Sequence, residues 1–212
     1  MLAIRRKEKI EMNNVRKVRY GMVIDLRRCI GCHSCSIACK SENNVSLGVF
    51  RSWVKQIEKG RYPHVMKAFL PSLCNNCERP ICVKNCPVNA SYQRDDGIVM
   101  VDIHRCIGCR YCIASCPYDA RYLDPIKHIV QKCFWCYHRI DAGLEPACVD
   151  TCIGRARIFG DLNDIESEVS RLITSNAVQV LKPEMDTEPR VFYIQADTDA
   201  MEARGGSIWL SI

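Results

Sequence analysis

Apolar positions along this chain fall into short β-branched runs, each ending at a polar loop that carries cysteines. Arg19-Tyr-Gly-Met-Val-Ile-Asp-Leu26 and Gly97-Ile-Val-Met-Val-Asp-Ile103 both stop just before a Cys-Ile-Gly-Cys tetrapeptide, and both read as strands. Beyond the cysteines come Pro87-Val-Asn-Ala-Ser-Tyr92, Pro117-Tyr-Asp-Ala-Arg-Tyr122 and Ile153-Gly-Arg-Ala-Arg-Ile-Phe159. These are versions of one segment, so the chain contains an internal repeat. Each unit reads strand, cysteine loop, short helix, strand, and Asp95-Asp96-Gly97 is a hairpin turn between two of the strands.

Two stretches depart from that unit. Phe50, Trp53, Val54 and Ile57, followed by Tyr62, Val65 and Phe69, suggest a hairpin inserted at residues 40–73, packed over the core or offered to a partner. From Asp161 onward, Leu162, Ile165, Val169, Leu172 and Ile173 recur with helical period, which predicts an amphipathic helix capped near Asn163 or Asp164. The end of the chain, with Arg204-Gly205-Gly206-Ser207, reads as an extended tail, and residues 1–18 as a basic N-terminal arm.

The cysteines change the picture most. There are 16 in 212 residues, and without them the apolar core is thin for the length, so disulfides or metal must help hold the chain together. They form four groups with none left over. The first is Cys29, Cys32, Cys35 and Cys39; the second is Cys74, Cys77, Cys82 and Cys86; the third is Cys106, Cys109, Cys112 and Cys116; the fourth is Cys133, Cys136, Cys148 and Cys152. Groups one and three share the spacing C-x2-C-x2-C-x3-C, and group three is followed by Pro117.

Disulfides fit poorly, because neighbouring cysteines are too close in sequence for bridge geometry. Zinc favours two well-separated C-x2-C pairs around one ion. Three thiolates on one tight loop suit a cube of irons, and this run is the signature of [4Fe–4S] ferredoxins. In two-cluster ferredoxins the fourth cysteine of a run serves the other run's cluster. The geometric reason is that the chain has by then entered a helix that points away from the first cube.

The expected fold is α+β, with small two-stranded sheets and short helices arranged as two bacterial-ferredoxin-like modules. One spans residues 74–124; the other, made of 19–39 with 125–160, is interleaved around it; residues 161–212 form the C-terminal helix and tail.

The formal charge of +6 counts every cysteine as neutral. A [4Fe–4S] site with four thiolates adds about −2, which brings a four-cluster holoprotein close to neutrality. The basic residues thus compensate buried anions, and no nucleic-acid partner is expected. Lys40, Lys84, Arg105, Arg110 and Lys132 adjoin cysteines, where they either raise cluster potentials or sit as solvated charge. His33 and Trp135, inside cysteine loops, either pack or tune a cluster. No apolar run reaches the length of a membrane span, and Arg5-Arg6 lacks the apolar segment of a signal peptide.

The motifs GMVIDLRRCIGCHSCSIACKSENN, LCNNCERPICVKNCPVNA, VDIHRCIGCRYCIASCPYDAR and KCFWCYHRIDAGLEPACVDTCIGRARIFGDLND resemble the four-cluster electron-transfer subunit of dimethyl-sulfoxide-reductase-type molybdopterin oxidoreductases. The likeness covers residues 19–196, and VLKPEMDTEPRVFYI looks most like the polysulfide, thiosulfate, tetrathionate and arsenate reductase branch. The resemblance implies four [4Fe–4S] clusters: cluster one on Cys29, Cys32, Cys35 and Cys152; cluster two on Cys39, Cys133, Cys136 and Cys148; cluster three on Cys74, Cys77, Cys82 and Cys116; cluster four on Cys86, Cys106, Cys109 and Cys112.

It further implies electron transfer between a molybdopterin catalytic subunit and a quinone-linked membrane subunit, with no catalytic residue in this chain. It also implies export of the folded protein by a partner's twin-arginine signal to the periplasmic side, although the cytoplasmic side fits as well. The rivals are a free-standing polyferredoxin shuttle, a cluster-bearing reductase with its own substrate site, and a zinc scaffold.

Overall fold

The computed structural model describes residues 17–202. Its first strand, β1 (Tyr20–Asp25), lies inside a four-stranded sheet ordered β8-β1-β10-β9, where β8 is Arg157–Asp161, β9 Val178–Gln179 and β10 Val191–Ile194. β1 pairs antiparallel with β8, Ile24 opposite Arg157, and parallel with β10, Met22 opposite Val191. The near-continuous apolar run in β1 follows from burial on both faces. Met22 and Ile24 belong to the main core with Tyr193 and Trp135, while Val23 joins a second cluster with Ile158, Val169 and Ile194.

This sheet corrects two expectations. The sheets are not all two-stranded, and the segment holding Val191–Ile194 is an inner strand and not a tail. Its pairing with β1 joins residues about as far apart in sequence as the described chain allows, so no local pattern announces it. The expected Arg204–Ser207 tail, and residues 1–16 of the basic arm, lie outside the described residues.

The inserted hairpin is present as β2 (Ser52–Arg61) and β3 (His64–Leu73), with Ser52 opposite Leu73. Its base is buried at Trp53, Val54, Leu70 and Leu73. Its tip is not: Tyr62 and Val65 are exposed, so of the two expectations packing holds for the base of the hairpin and not for its tip.

The cysteine units follow the expected plan. Helix α1 (Ser34–Glu42) leads out of group one, α2 (Ile81–Lys84) lies within group two, and α3 (Tyr111–Ala114) within group three; α4 (Tyr137–Ile140) and α5 (Ala147–Asp150) carry group four. Strand β4 (Ser91–Gln93) pairs with β5 (Val99–Val101) across the Asp95-Asp96-Gly97 turn, where Gly97 takes φ +83°. Strand β6 (Arg121–Leu123) pairs with β7 (Val130–Lys132). Helix α1 packs on α5, and α2 packs on α3.

The amphipathic helix α6 is shorter than expected, Glu168–Ser175. Asp161 and Asp164 accept from the backbone N–H groups of Asn163 and Glu166, which holds the chain in turns. Ser167 is the cap, its hydroxyl accepting from the Ser170 N–H at 3.2 Å. Ile165 therefore lies before the helix and is exposed. A last helix, α7 (Thr198–Glu202), packs on the inserted hairpin. No helix among the described residues is long and apolar enough to cross a membrane.

Candidate metal centres

The loops of groups one and three turn tightly into a helix through left-handed backbone. His33 and Arg110, each following the second cysteine of its Cys-Ile-Gly-Cys, have φ of +60° and +63°. Gly31 and Gly108, inside those tetrapeptides, have φ +69° and +68°, a region glycine enters without steric cost. The fourth cysteine of groups two, three and four meets a recurring partner. The N–H of Ala90 donates to Cys86 Sγ at 3.2 Å, that of Ala156 to Cys152 Sγ at 3.2 Å, and Cys116 accepts from Ala120 in the same way. The repeated Ala of the sequence thus serves one purpose three times.

Two cavities gather the thiols across long stretches of chain. One is lined by Cys29, Cys32, Cys35 and Cys152, the other by Cys74, Cys77, Cys82 and Cys116. They enclose about 370 and 360 Å³ of space between atoms, part of it open to solvent. Cys136 and Cys148 both act on the charge of Cys39 and of Cys133, Cys136 and Cys35 on that of Cys148, and Cys82 and Cys106 on that of Cys112. All sixteen cysteines are free of disulfides. Among the described residues, no three His, Cys, Asp or Glu side chains draw close enough to hold a single metal ion.

Burial decides the thiol chemistry. It pushes Cys39 and Cys77 up to about 12 and Cys116 and Cys148 up to about 11, and it raises Cys133 as well. Neighbouring thiols add to the rise, because two thiolates repel. Cys32 differs: it is exposed, and the Ser34 hydroxyl lowers it. Thiolates at such depth persist only where positive charge meets them.

That charge is present. Arg157 is 2% exposed; one Nη donates to the Ser52 hydroxyl at 2.9 Å, while its Nε and other Nη find no hydrogen-bond partner. Burial works against its charge, and the thiols of Cys35 and Cys148 more than offset it, so its pKa is raised. Arg121, also buried, donates to Cys82 Sγ at 3.0 Å and to the Ser91 hydroxyl at 2.8 Å. Lys132, fully buried, lies 3.6 Å from Cys74 Sγ and donates to the Cys133 carbonyl at 2.8 Å. Raised thiols packed against buried cations with unspent donors fit an anionic thiolate-bound cluster.

Of the five cations adjacent to cysteines in sequence, Lys132 alone is buried at the thiols. Lys84, Arg105 and Arg110 are exposed, and Lys40 donates to the Ser46 and Val49 carbonyls. Arg121 and Arg157 lie five residues past a cysteine, where adjacency does not reach. The repeat does point to them: both follow the recurrent Ala, in the slot that holds Ser91 in the second unit. Trp135 is core, 1% exposed and edge-on to Phe159 at 5.3 Å. His33 Nε2 lies 2.6 Å from the Gln56 amide nitrogen, tying the first loop to β2.

A family model for the 4Fe–4S dicluster domain matches residues 65–162. A tetrathionate reductase subunit of Salmonella typhimurium is 49% identical over 183 residues, covering 84% of this chain and 73% of that protein. A polysulfide reductase chain of Wolinella succinogenes is 39% identical, over 87% of this chain and 98% of its own length. The iron–sulfur subunit of the arsenate respiratory reductase of a Shewanella species is 37% identical, over 84% and 97%.

Proposed function

We propose a role for this chain from the family it belongs to, the iron–sulfur electron-transfer subunits of dimethyl-sulfoxide-reductase-type oxidoreductases: within such a complex it links a molybdopterin catalytic subunit to a quinone-reactive membrane subunit. The chain is an electron-transfer subunit without a catalytic site of its own, and its cofactors are [4Fe–4S] clusters.

The ligand sets we propose are Cys29, Cys32, Cys35 and Cys152 for cluster one; Cys39, Cys133, Cys136 and Cys148 for cluster two; Cys74, Cys77, Cys82 and Cys116 for cluster three; and Cys86, Cys106, Cys109 and Cys112 for cluster four. The observation that carries this is the company of Cys152. It lines a cavity with three cysteines from the other end of the cysteine region and not with Cys148. The Cys116 thiol stands likewise with group two.

Interleaved modules are supported by the same contacts. The pairing of β1 with β8 and the packing of α1 on α5 join groups one and four; β4 with β5, and α2 on α3, join groups two and three. The thiols of Cys133 and Cys74 interact across the two modules, which favours the row one, two, three, four. When bound, the clusters carry single electrons. The chain's residues fix their spacing, exclude water and set the charge around them.

The two ends of that row are open. Cys32 and Cys109 are exposed, and so are the isoleucines two residues before them, Ile30 and Ile107. Such apolar rims around an accessible ligand suit docking of a redox partner at each end. We place the protein at the membrane through those partners, on the periplasmic side after co-export.

The test is anaerobic purification from the native source. Co-purification with a large molybdopterin-containing subunit is the expected result. A lone soluble ferredoxin would overturn the complex, and zinc in place of iron and acid-labile sulfide would overturn the clusters.

A further inference from the structure

Arg121, Lys132 and Arg157 occupy three different places with one thing in common. Each touches or faces thiols assigned to two different clusters. Arg121 donates to Cys82 Sγ, of cluster three, and its guanidinium also meets the Cys112 thiol, of cluster four. Lys132 lies against Cys74 Sγ, of cluster three, and its ammonium, bonded to the Cys133 carbonyl, also faces the charge of the Cys133 thiol, of cluster two. Arg157 lines the cavity of cluster one, and the thiols nearest its charge are Cys35, of cluster one, and Cys148, of cluster two. All three side chains are buried.

The row thus has three junctions and a buried cation at each. Arg121 and Arg157 hold equivalent slots in two repeats, one residue past the Ala that donates to the fourth cysteine. Each spends a donor on a buried serine hydroxyl, Ser91 and Ser52, and keeps others for the thiols. This is a built arrangement: a guanidinium is always charged, and burying one without purpose is costly.

We propose that these three residues are junction cations, each raising the reduction potentials of the two clusters it separates. The inference rests on the ligand sets proposed above. Reduction adds one negative charge to a cluster, and a cation between two clusters favours that charge on either one. The Coulomb attraction falls with distance, so clusters beyond the junction feel little of it. Removing one cation therefore moves two potentials and leaves two in place.

The test is a potentiometric titration, followed by electron paramagnetic resonance, of the cluster-loaded protein in its complex. Wild type must first show four titrating clusters; fewer would overturn the ligand sets and, with them, this inference. Given four, Arg157→Gln should lower two potentials and Arg121→Gln the other two, each by about tenfold in the equilibrium constant, or 59 mV for one electron. Lys132→Met should lower one from each pair. Arg157→Lys, which keeps the charge, should restore most of the loss. A cluster shifted by both Arg157→Gln and Arg121→Gln, a single shifted cluster, four shifted alike, or equal shifts with Lys and Gln at 157 would overturn the junction role while leaving the clusters standing. Should Arg157→Gln fail to load, Arg121→Gln and Lys132→Met decide it by whether they share one cluster.

Discussion

Gly31 and Phe69 are matched surfaces: a Cβ built on Gly31 would overlap Cε1 of the Phe69 ring. The glycine belongs to the first cysteine loop and the phenylalanine to the inserted hairpin, so the hairpin is seated on that loop. Gly31→Ala meets both the positive φ and the ring. The backbone alone costs roughly 1–2 kcal/mol, and the overlap adds to it. Gly48 also has positive φ, +77°, but has nothing within 4 Å. Gly31→Ala should lower the melting temperature more than Gly48→Ala and cost iron at the first loop. Equal effects in calorimetry and iron analysis would contradict the seating of the hairpin.

The cap of α6 gives a second prediction. Ser167 accepts from Ser170 N–H and donates to the Asp161 carbonyl at 2.7 Å. Ser167→Ala should destabilise by about 1 kcal/mol, a fall of roughly 2–4 °C in melting temperature for a chain of this size. Asp164→Ala, which removes a turn and not the cap, should cost less.

Buried cations make the effect of metal removal depend on the side chain. With clusters bound, Arg157 faces negative charge; with the clusters stripped by oxidation and a chelator, it faces among others the Cys148 thiol, which burial keeps protonated. A buried charge without a counter-charge costs several kcal/mol. Arg157→Met should therefore make the stripped chain more resistant to proteolysis than stripped wild type, and the loaded chain less stable than loaded wild type. A change of the same sign in both states would contradict this.

Crossed ligation predicts which thiols lose their partner. Cys152→Ser should disturb the cluster held by Cys29, Cys32 and Cys35 and spare the one held by Cys133, Cys136 and Cys148, although Cys148 is its nearest cysteine in sequence. Resonance spectra of Cys152→Ser and Cys29→Ser should then lose the same signal. Loss of different signals would contradict the pairing.

How much of this is legible in the sequence follows the range of the interactions. The cysteine groups, β1, β5, the Asp95-Asp96-Gly97 turn and the inserted hairpin are local, and spacing and alternation reveal them. The parallel pairing of β1 with β10 is not local, and Val191–Ile194 reads as tail because four apolar residues carry no period. The α6 cap falls on Ser167 because the residues before it, Asp161 and Asp164, spend their carboxylates on turns. The junction arginines are hidden for another reason. A residue five positions past a ligand faces the cluster only through the pleat of the strand it begins, and adjacency to cysteine picks, besides Lys132, the exposed Lys84, Arg105 and Arg110.

The most direct measurement of the central claim is iron and acid-labile sulfide analysis of the anaerobically purified protein, with spin quantitation after full reduction. Four irons and four sulfides for every four cysteines, and four [4Fe–4S] spins per chain, are the predicted result. Zinc without sulfide, or half the expected iron with two spins, would contradict a row of four clusters.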